Sequence, residues 1–169
     1  VGPCREAVLG DSRGRAQLTV SDGRTTDVSI APLLARYASL ERVRVLRNAT
    51  NRGFTATANR GIELAGLADV ALLNADTEVG PNWLTGLRRA AYAGDDIATA
   101  TAVSDNAGAF SVPELEQANT LPACWRFDAC ARAFWQGAGP AYPQLPAGNG
   151  LRLYIPRTLL EAAAGRDDA

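Results

Sequence analysis

Short apolar runs alternate along the chain with segments whose apolar residues recur at helical spacing, and this alternation is the feature that most constrains the fold. Five runs are predicted to be strands: residues 16–20, 43–46, 70–73, 97–103 and 151–155. Helices are predicted for residues 30–40, 54–65, a stretch beginning at 81, 114–136 and 156–164. This order of elements predicts an α/β fold, in which helices cover both faces of a sheet.

Four of the five predicted strands give way to a loop that is rich in polar residues. The polar residues in question are Asp22, Asn51, Asp76, Ser104 and Asn106. In an open α/β sheet, ligands bind in the crevice beyond the carboxyl ends of the strands. We therefore expect these five side chains to gather at one edge of the sheet and to form the functional site.

The residue types that are missing exclude several classes of catalysis. The chain has no histidine, and all 17 of its basic residues are arginine. It therefore cannot build a Ser-His-Asp or Cys-His site, and it has neither a Walker A lysine nor a Schiff-base lysine. The chemistry must come from carboxylates, hydroxyls, amides and arginine, or from a metal ion held by oxygen ligands.

The net charge and the cysteine content limit the binding partners and the cellular location that we expect for the chain. A net charge of −1 with scattered arginines argues against a nucleic-acid partner, because such binding needs a basic surface. The three cysteines, Cys4, Cys124 and Cys130, form no C-x-x-C pair, which favours reduced thiols in the cytoplasm. No apolar run is long enough to span a bilayer, so we expect no transmembrane segment. Surface association with a membrane is left open.

Residues 72–79, with the sequence LLNADTEV, are the most informative local feature. A strand that continued through this segment would place Asn74 and Asp76 on the same side, because alternate strand residues face the same way. Their oxygens suit Mg²⁺ or Mn²⁺, which keep positions open for phosphate oxygens. The alternative is a plain turn in which Asp76 and Thr77 cap the helix that follows Pro81.

Two other segments are candidates for nucleotide binding. Asp22 ends a predicted strand before Gly23 and several hydroxyl residues, so its carboxylate can accept a hydrogen bond from a base, although Asp-Gly is also an ordinary turn. Residues 51–61 place two Asn-Arg-Gly triplets across a predicted helix N-terminus, which is a ready anion site. Arg52 and Arg60 are then candidate phosphate ligands, and solvated helix arginines are the alternative.

Taken in order, these segments resemble the family 2 glycosyltransferases of the GT-A fold, especially their rhamnosyltransferase-like branch. Residues 20–27 are similar to the family pattern V-D-D-G-S-T-D, and residues 51–61 to N-x-G-F-x-x-x-x-N-x-G. Residues 72–79 resemble L-L-N-x-D-T-x-V, the local form of the metal motif, and residues 104–107 resemble S-N-N-A. Residues 148–157 are similar to G-N-G-F-C-x-Y-I-x-R, and residues 165–168 to G-x-F-D-E.

The resemblance implies transfer of a sugar from a nucleotide-diphosphate sugar donor to a hydroxyl of a saccharide or lipid-linked acceptor, as in the synthesis of cell-surface polysaccharides. It implies a divalent metal cofactor, Mn²⁺ or Mg²⁺, bound by Asp76. The residues that would bind the nucleotide are Asp22, Gly53, Asn59 and Asn74. Asn106 and Asn149 would lie on the side of the sugar or the acceptor.

The resemblance also implies a single partial GT-A domain over residues 1–169, with a nucleotide-sugar half of about 1–103 and an acceptor-side half of about 104–169. The family's first strand would precede Cys4, and the carboxylate base would lie beyond Ala169. We therefore expect a mixed sheet that lacks its first strand, in a chain truncated at both ends and poorly active by itself. Ser21 departs from the family pattern, which has Asp there.

Two other functions stay open on the sequence alone. The chain could be a non-catalytic remnant of the family, or a small-molecule-binding α/β domain. A phospho-receiver domain is disfavoured, because such domains normally need a lysine at a strand end. For the enzyme we expect a cytoplasmic location, either free or at the inner face of the membrane.

Overall fold

The computed structural model describes residue 8 and residues 16–139, 142–150 and 152–164. The chain divides into two compact units. We call them the small unit, Arg13–Ala68, and the large unit, Val1–Ser12 with Asp69–Ala169. The expected division of ligand roles at about residue 103 does not follow this boundary and stays a prediction.

The small unit is a two-stranded parallel sheet with two helices. Its elements are β1 (Leu18–Asp22), α1 (Ile30–Ala38), β2 (Val43–Arg47) and α2 (Gly53–Leu64). The strands pair in register from Leu18 opposite Val43 to Asp22 opposite Arg47. Two parallel neighbours need a crossover connection, and α1 supplies it. Helix α1 buries Leu34 and Tyr37, three residues apart on one face.

The large unit contains a three-stranded antiparallel sheet. Its elements are β3 (Val70–Leu73), α3 (Trp83–Ala91), β4 (Ala100–Thr101), α4 (Phe127–Gly137), β5 (Arg152–Ile155) and α5 (Arg157–Ala164). Strand β5 lies between β3 and β4 and is antiparallel to both. Strands β3 and β4 therefore end at the same edge of this sheet, which is the edge where β5 begins.

The core of the large unit lies between α3 and this sheet. Leu87 and Ala91 of α3 pack with Ala100 and Tyr154, and all four are buried. Because Leu87 and Ala91 are four residues apart, they lie on the same side of the helix. The sequence predicted this apolar side of α3, and the prediction is confirmed.

Several element boundaries differ from the predictions, including three in the large unit. The strand expected over 97–103 is reduced to β4, because β5 pairs with it only through Leu153 and Tyr154. Helix α3 begins at Trp83, two residues after the predicted Pro81. The helix expected over 114–136 begins only at Phe127.

The predicted α/β class is confirmed, since parallel and antiparallel strands are both present and flanked by helices. The described strands are distributed over two sheets, whereas the sequence suggested one. The expected loss of the first strand, the start of the last strand at residue 151 and the GRDD motif at 165–168 lie outside the described residues. Within the described residues, no helix is both long enough and apolar enough to cross a membrane.

Candidate active site

Asp22, the last residue of β1, organises the turn that follows it. Its Oδ1 accepts hydrogen bonds from the backbone N–H groups of Arg24 (3.1 Å) and Thr25 (2.8 Å). Its Oδ2 is an ion-pair partner of Arg47 Nε at 3.1 Å. The side chain is buried with 9% exposure. The carboxylate thus forms the Asp-Gly turn that was the alternative, and its contact with a nucleobase stays a prediction.

Arg47 was not predicted as a site residue, although it directly follows the apolar part of β2. Besides the Asp22 contact, its Nη2 donates to the Thr25 carbonyl at 3.3 Å. It borders a groove of about 670 Å³, and the other residues that line this groove are Arg24, Thr25, Thr26, Asp27, Val28, Ala31 and Asn48. A groove of this size is within the range that small-molecule sites occupy.

Asp27 lines the same groove and has a perturbed carboxyl group. The backbone N–H of Ser29 donates to its Oδ1 at 2.9 Å. This hydrogen bond, together with one from the Ser29 side chain, holds the pKa of Asp27 below its usual value. Asp27 therefore stays ionised at neutral pH.

The start of α2 is shaped by Asn51 and Gly53. The Gly53 N–H donates to Asn51 Oδ1 at 2.9 Å, and Gly53 has a φ of +76°, which residues with a side chain rarely adopt. Gly53 is therefore required by the backbone, whatever its contact with a nucleotide. Asn59 is exposed on α2. The roles of Gly53 and Asn59 in nucleotide binding stay predictions.

Arg60 serves the structure of the small unit. Its Nη1 donates to Asn48 Oδ1 at 2.9 Å and to the Arg47 carbonyl at 3.3 Å. Asn48 is buried and its Nδ2 donates to Thr57 Oγ1 at 2.7 Å. The guanidinium of Arg60 thus joins α2 to the end of β2, a role that the sequence pattern did not predict.

Asn74 and Asp76 lie in a turn rather than in a strand. Strand β3 ends at Leu73, and the Thr77 N–H donates to the Asn74 carbonyl at 3.2 Å. The strand alternation used to place the two side chains on one side therefore does not apply. The turn alternative is confirmed. The capping role expected of Asp76 and Thr77 is wrong, because α3 starts after Asn82 and has no side-chain cap.

Asp76 can nevertheless supply one carboxylate ligand to a metal ion. Its side chain is exposed, and it forms no hydrogen bond or ion pair with the described residues. The described part of the chain has no group of three or more Asp, Glu, Cys or His residues suited to hold a metal ion. One free carboxylate fits an ion that is shared with phosphate oxygens, which is how Mg²⁺ is commonly bound.

Asn149 and the loop after β4 are brought together. The Asn149 N–H donates to Thr101 Oγ1 at 3.1 Å, and its Nδ2 donates to the Ala107 carbonyl at 3.1 Å. Ala107 directly follows Asn106, whose own side chain is exposed. The two residues predicted for the sugar or acceptor side therefore lie in one connected loop region at the edge where β3 and β4 end.

Asn119 holds this loop in shape, a role that was not predicted because a helix was expected there. Its backbone N–H donates to the Asp105 carbonyl at 2.8 Å, and its Nδ2 donates to the Glu114 carbonyl at 2.9 Å. An asparagine side chain that bonds backbone groups competes with helix formation. The cue available in the sequence was this asparagine between Pro113 and Pro122.

The predicted gathering of five polar residues divides between the two units. Asp22 and Asn51 belong to the small unit, whereas Asp76, Ser104 and Asn106 belong to the large unit. In the large unit, the segments after β3 and β4 and the segment before β5 share one edge of the sheet. The crevice expected from the topology stays a prediction for this shared edge.

Comparison with known proteins identifies the family. The sequence model described as Glycosyl transferase family 2 matches residues 2–139. No curated protein matches the chain. Because the match covers most of the chain, the chain belongs to glycosyl transferase family 2 and is a glycosyltransferase.

Proposed function

We propose that the chain transfers a sugar from a nucleotide-diphosphate sugar to a hydroxyl group of a saccharide or lipid-linked acceptor, with the help of a divalent metal ion. Membership of the family supports the general reaction and the binding of a donor and an acceptor. The observation that carries the metal-assisted form is the exposed, unbonded carboxylate of Asp76 in the turn after β3. The rhamnosyltransferase-like branch and a role in polysaccharide synthesis are part of the same proposal.

The residues of each unit support distinct parts of this function. In the small unit, the groove beside Asp27 and Arg47 has the size and polarity to take part of a nucleotide. In the large unit, Asp76 with Asn74 would hold Mg²⁺ or Mn²⁺, and such an ion neutralises charge on a leaving diphosphate. Asn149 orders the loop that carries Asn106, and this order favours a fixed position for the sugar or acceptor.

The reaction itself is a displacement at the anomeric carbon. The acceptor oxygen forms a bond to that carbon, the bond to the diphosphate oxygen breaks, and the acceptor proton passes to a carboxylate base. Exclusion of water from the sugar matters, since water would otherwise act as the acceptor. The cytoplasmic location, free or at the inner face of the membrane, belongs to the proposal as well.

The metal-dependent step is tested by calorimetric titration with UDP, dTDP and GDP, each with Mn²⁺, with Mg²⁺ and with a chelator. We expect at least one nucleotide to bind only when metal is present. Asp76→Asn should weaken that binding about tenfold or more, because a charged metal ligand is lost. The matched control is Glu78→Gln, which removes another exposed carboxylate two residues away and should bind like the unaltered chain.

Two results would contradict the proposal. One is the absence of binding to all three nucleotides. The other is binding that is independent of metal and equal in Asp76→Asn and in the unaltered chain.

A further inference from the structure

Arg152, the first residue of β5, carries a buried donor without a partner. It is paired with Leu73 of β3, and its carbonyl accepts a hydrogen bond from the Ala102 N–H at 3.4 Å. The side chain is half-buried, and its Nη1 is shielded from solvent. Among the described residues, no hydrogen-bond acceptor meets this nitrogen and no carboxylate pairs with the guanidinium.

A buried donor of a charged group without a partner is costly, so its presence calls for an explanation. Desolvation of a charge is offset only by an opposite charge or by well-placed hydrogen bonds. A neutral side chain at position 152 would pack without that cost.

A second unpartnered donor lies on the same face of the sheet. Arg152 and Tyr154 are two residues apart on β5 and so face the same way, toward α3. Trp83, the first residue of α3, packs against the cluster that contains Tyr154. The indole Nε1 of Trp83 is also buried without an acceptor among the described residues. Two buried donors without an acceptor among the described residues thus lie on the side of the sheet that α3 covers.

The position of Arg152 along the sheet links these donors to the candidate active site. Arg152 begins β5 at the edge where β3 and β4 end, and Asn74 follows β3 at that edge. Asn149, three residues before Arg152, is tied to Thr101 of β4. The unpaired charge is therefore at the edge that carries the predicted diphosphate and acceptor residues, not at the opposite one.

We propose that Arg152 binds an oxyanion of the sugar nucleotide, with the indole N–H of Trp83 as a second donor. Guanidinium groups suit this role, because their planar donors match phosphate and carboxylate oxygens. The oxyanion is either the diphosphate, common to all such donors, or a carboxylate on the sugar. The identity of this ligand rests on the proposed function. The presence of an anion site at Arg152 does not rest on it.

The experiment measures how inorganic pyrophosphate and glucuronate raise the thermal unfolding midpoint of the chain. The variants are Arg152→Met and Arg152→Lys, with Arg157→Met as the matched control, since Arg157 is already paired with Glu161 at 3.1 Å. We expect one of the two anions to raise the midpoint of the unaltered chain and of Arg157→Met. Arg152→Met should lose that response. Arg152→Lys should retain part of it, because lysine keeps the positive charge but lacks the planar set of paired N–H donors.

A second readout separates a binding role from a structural one. Without added anion, Arg152→Met should be as stable as the unaltered chain or more stable, because it removes a charged group whose Nη1 is buried without a partner. Trp83→Phe keeps most of the packed ring and should weaken the anion response less than Arg152→Met. A full response in Trp83→Phe would remove Trp83 from the site.

The outcomes distinguish this inference from the proposed function. A response to pyrophosphate identifies the diphosphate as the ligand, and a response to glucuronate identifies a sugar carboxylate. The inference is overturned if neither anion acts on the unaltered chain, if Arg152→Met responds equally, or if Arg152→Met is less stable without anion. None of these results would contradict metal-dependent nucleotide binding. If metal-dependent nucleotide binding were absent, the responses to pyrophosphate and glucuronate would still decide whether Arg152 binds an anion.

Discussion

Asp22 and Asp76 show how two carboxylates with similar sequence surroundings differ in the folded chain. Asp22 is buried, and its oxygens are engaged by two backbone N–H groups and by Arg47. Asp76 is exposed and bonds no described residue. A carboxylate that is already paired stabilises its loop, whereas a free one remains available to a metal ion or ligand.

Asp69 is a third carboxylate, and it joins several elements of the large unit. It accepts hydrogen bonds from Tyr154 Oη at 2.6 Å, Tyr92 Oη at 3.0 Å and the Arg157 N–H at 2.9 Å. Burial alone would raise the pKa of Asp69, but the bonds from Tyr154, Arg157 and Tyr92 outweigh it and leave the pKa lowered. Burial and the contact with Asp69 raise the pKa of Tyr154.

These shifts predict a pH dependence of stability. Because the pKa of Asp69 is lower in the folded state, its contribution to the free energy of unfolding is complete well above the unfolded pKa of 3.8. That contribution is lost as pH falls through the folded-state pKa. The raised pKa of Tyr154 means a contribution that is complete below 10.0 and is lost as pH rises above it. Asp69→Asn should therefore destabilise the chain at pH 7, and the difference should shrink as pH falls below 3.8.

Urea unfolding at several pH values measures this effect. Tyr154→Phe should cost about 1–2 kcal/mol at neutral pH, because the Asp69 carboxylate loses a hydroxyl donor. Tyr92→Phe is the matched control and should cost less, since Tyr92 is exposed. A difference between Asp69→Asn and the unaltered chain that stays constant from neutral to acid pH would contradict the assignment.

At the scale of elements, α4 packs against α3 and the loop before it. Ala131 and Trp135, four residues apart on α4, meet Gly80 and Gly86, and Arg89 of α3 lies 5.5 Å from the centre of the Trp135 ring. Small residues at a helix contact allow close approach. The two glycines therefore set how near α4 lies to α3 and its preceding loop.

This contact predicts that Gly80→Ala is destabilising. A methyl group at Gly80 would overlap the Cβ of Ala131, which cannot rotate away. We expect a loss of about 1–3 kcal/mol in the free energy of unfolding, which is typical of overpacking. Gly137→Ala is the control, because a methyl group at the end of α4 meets open space and should be neutral or slightly stabilising. Equal stabilities of the two variants in thermal unfolding would disprove the close contact.

At the scale of the whole molecule, charge balance is the property that most limits its partners. The chain has 17 basic and 18 acidic residues and a net charge of −1. Several arginines are also used within the fold: Arg47 with Asp22, Arg60 with Asn48, and Arg157 with Glu161. Arginines that already have partners release fewer counterions on binding a polyanion.

The chain is therefore expected not to bind nucleic acid at physiological salt. Fluorescence anisotropy with a labelled DNA duplex and a single-stranded RNA, at about 0.15 M salt, measures this. We expect no binding up to about 100 µM protein, the weak end of non-specific affinities. Binding at about 1 µM that weakens steeply with added salt would contradict the expectation.

Much of the fold could be predicted from the sequence, and the reasons are local. Strands β1, β2 and β3 and helices α1, α2 and α3 follow from runs of apolar residues and from their spacing. The predictions failed where a tertiary contact overrides that spacing. The segment before α4 is held by Asn119, and β4 is only as long as its pairing with β5 allows.

The sequence by itself determined the α/β class, the family and the set of polar residues that follow the strands, because periodicity and ordered motifs are properties of neighbouring residues. Only the tertiary structure decided which of these groups already have partners. Asp22 meets Arg47 and Arg60 meets Asn48 across the small unit, whereas Asp76 is left free and Arg152 unpaired among the described residues. The physical reason is that a buried polar group takes its hydrogen bonds from residues that are distant along the chain, and only folding brings these together.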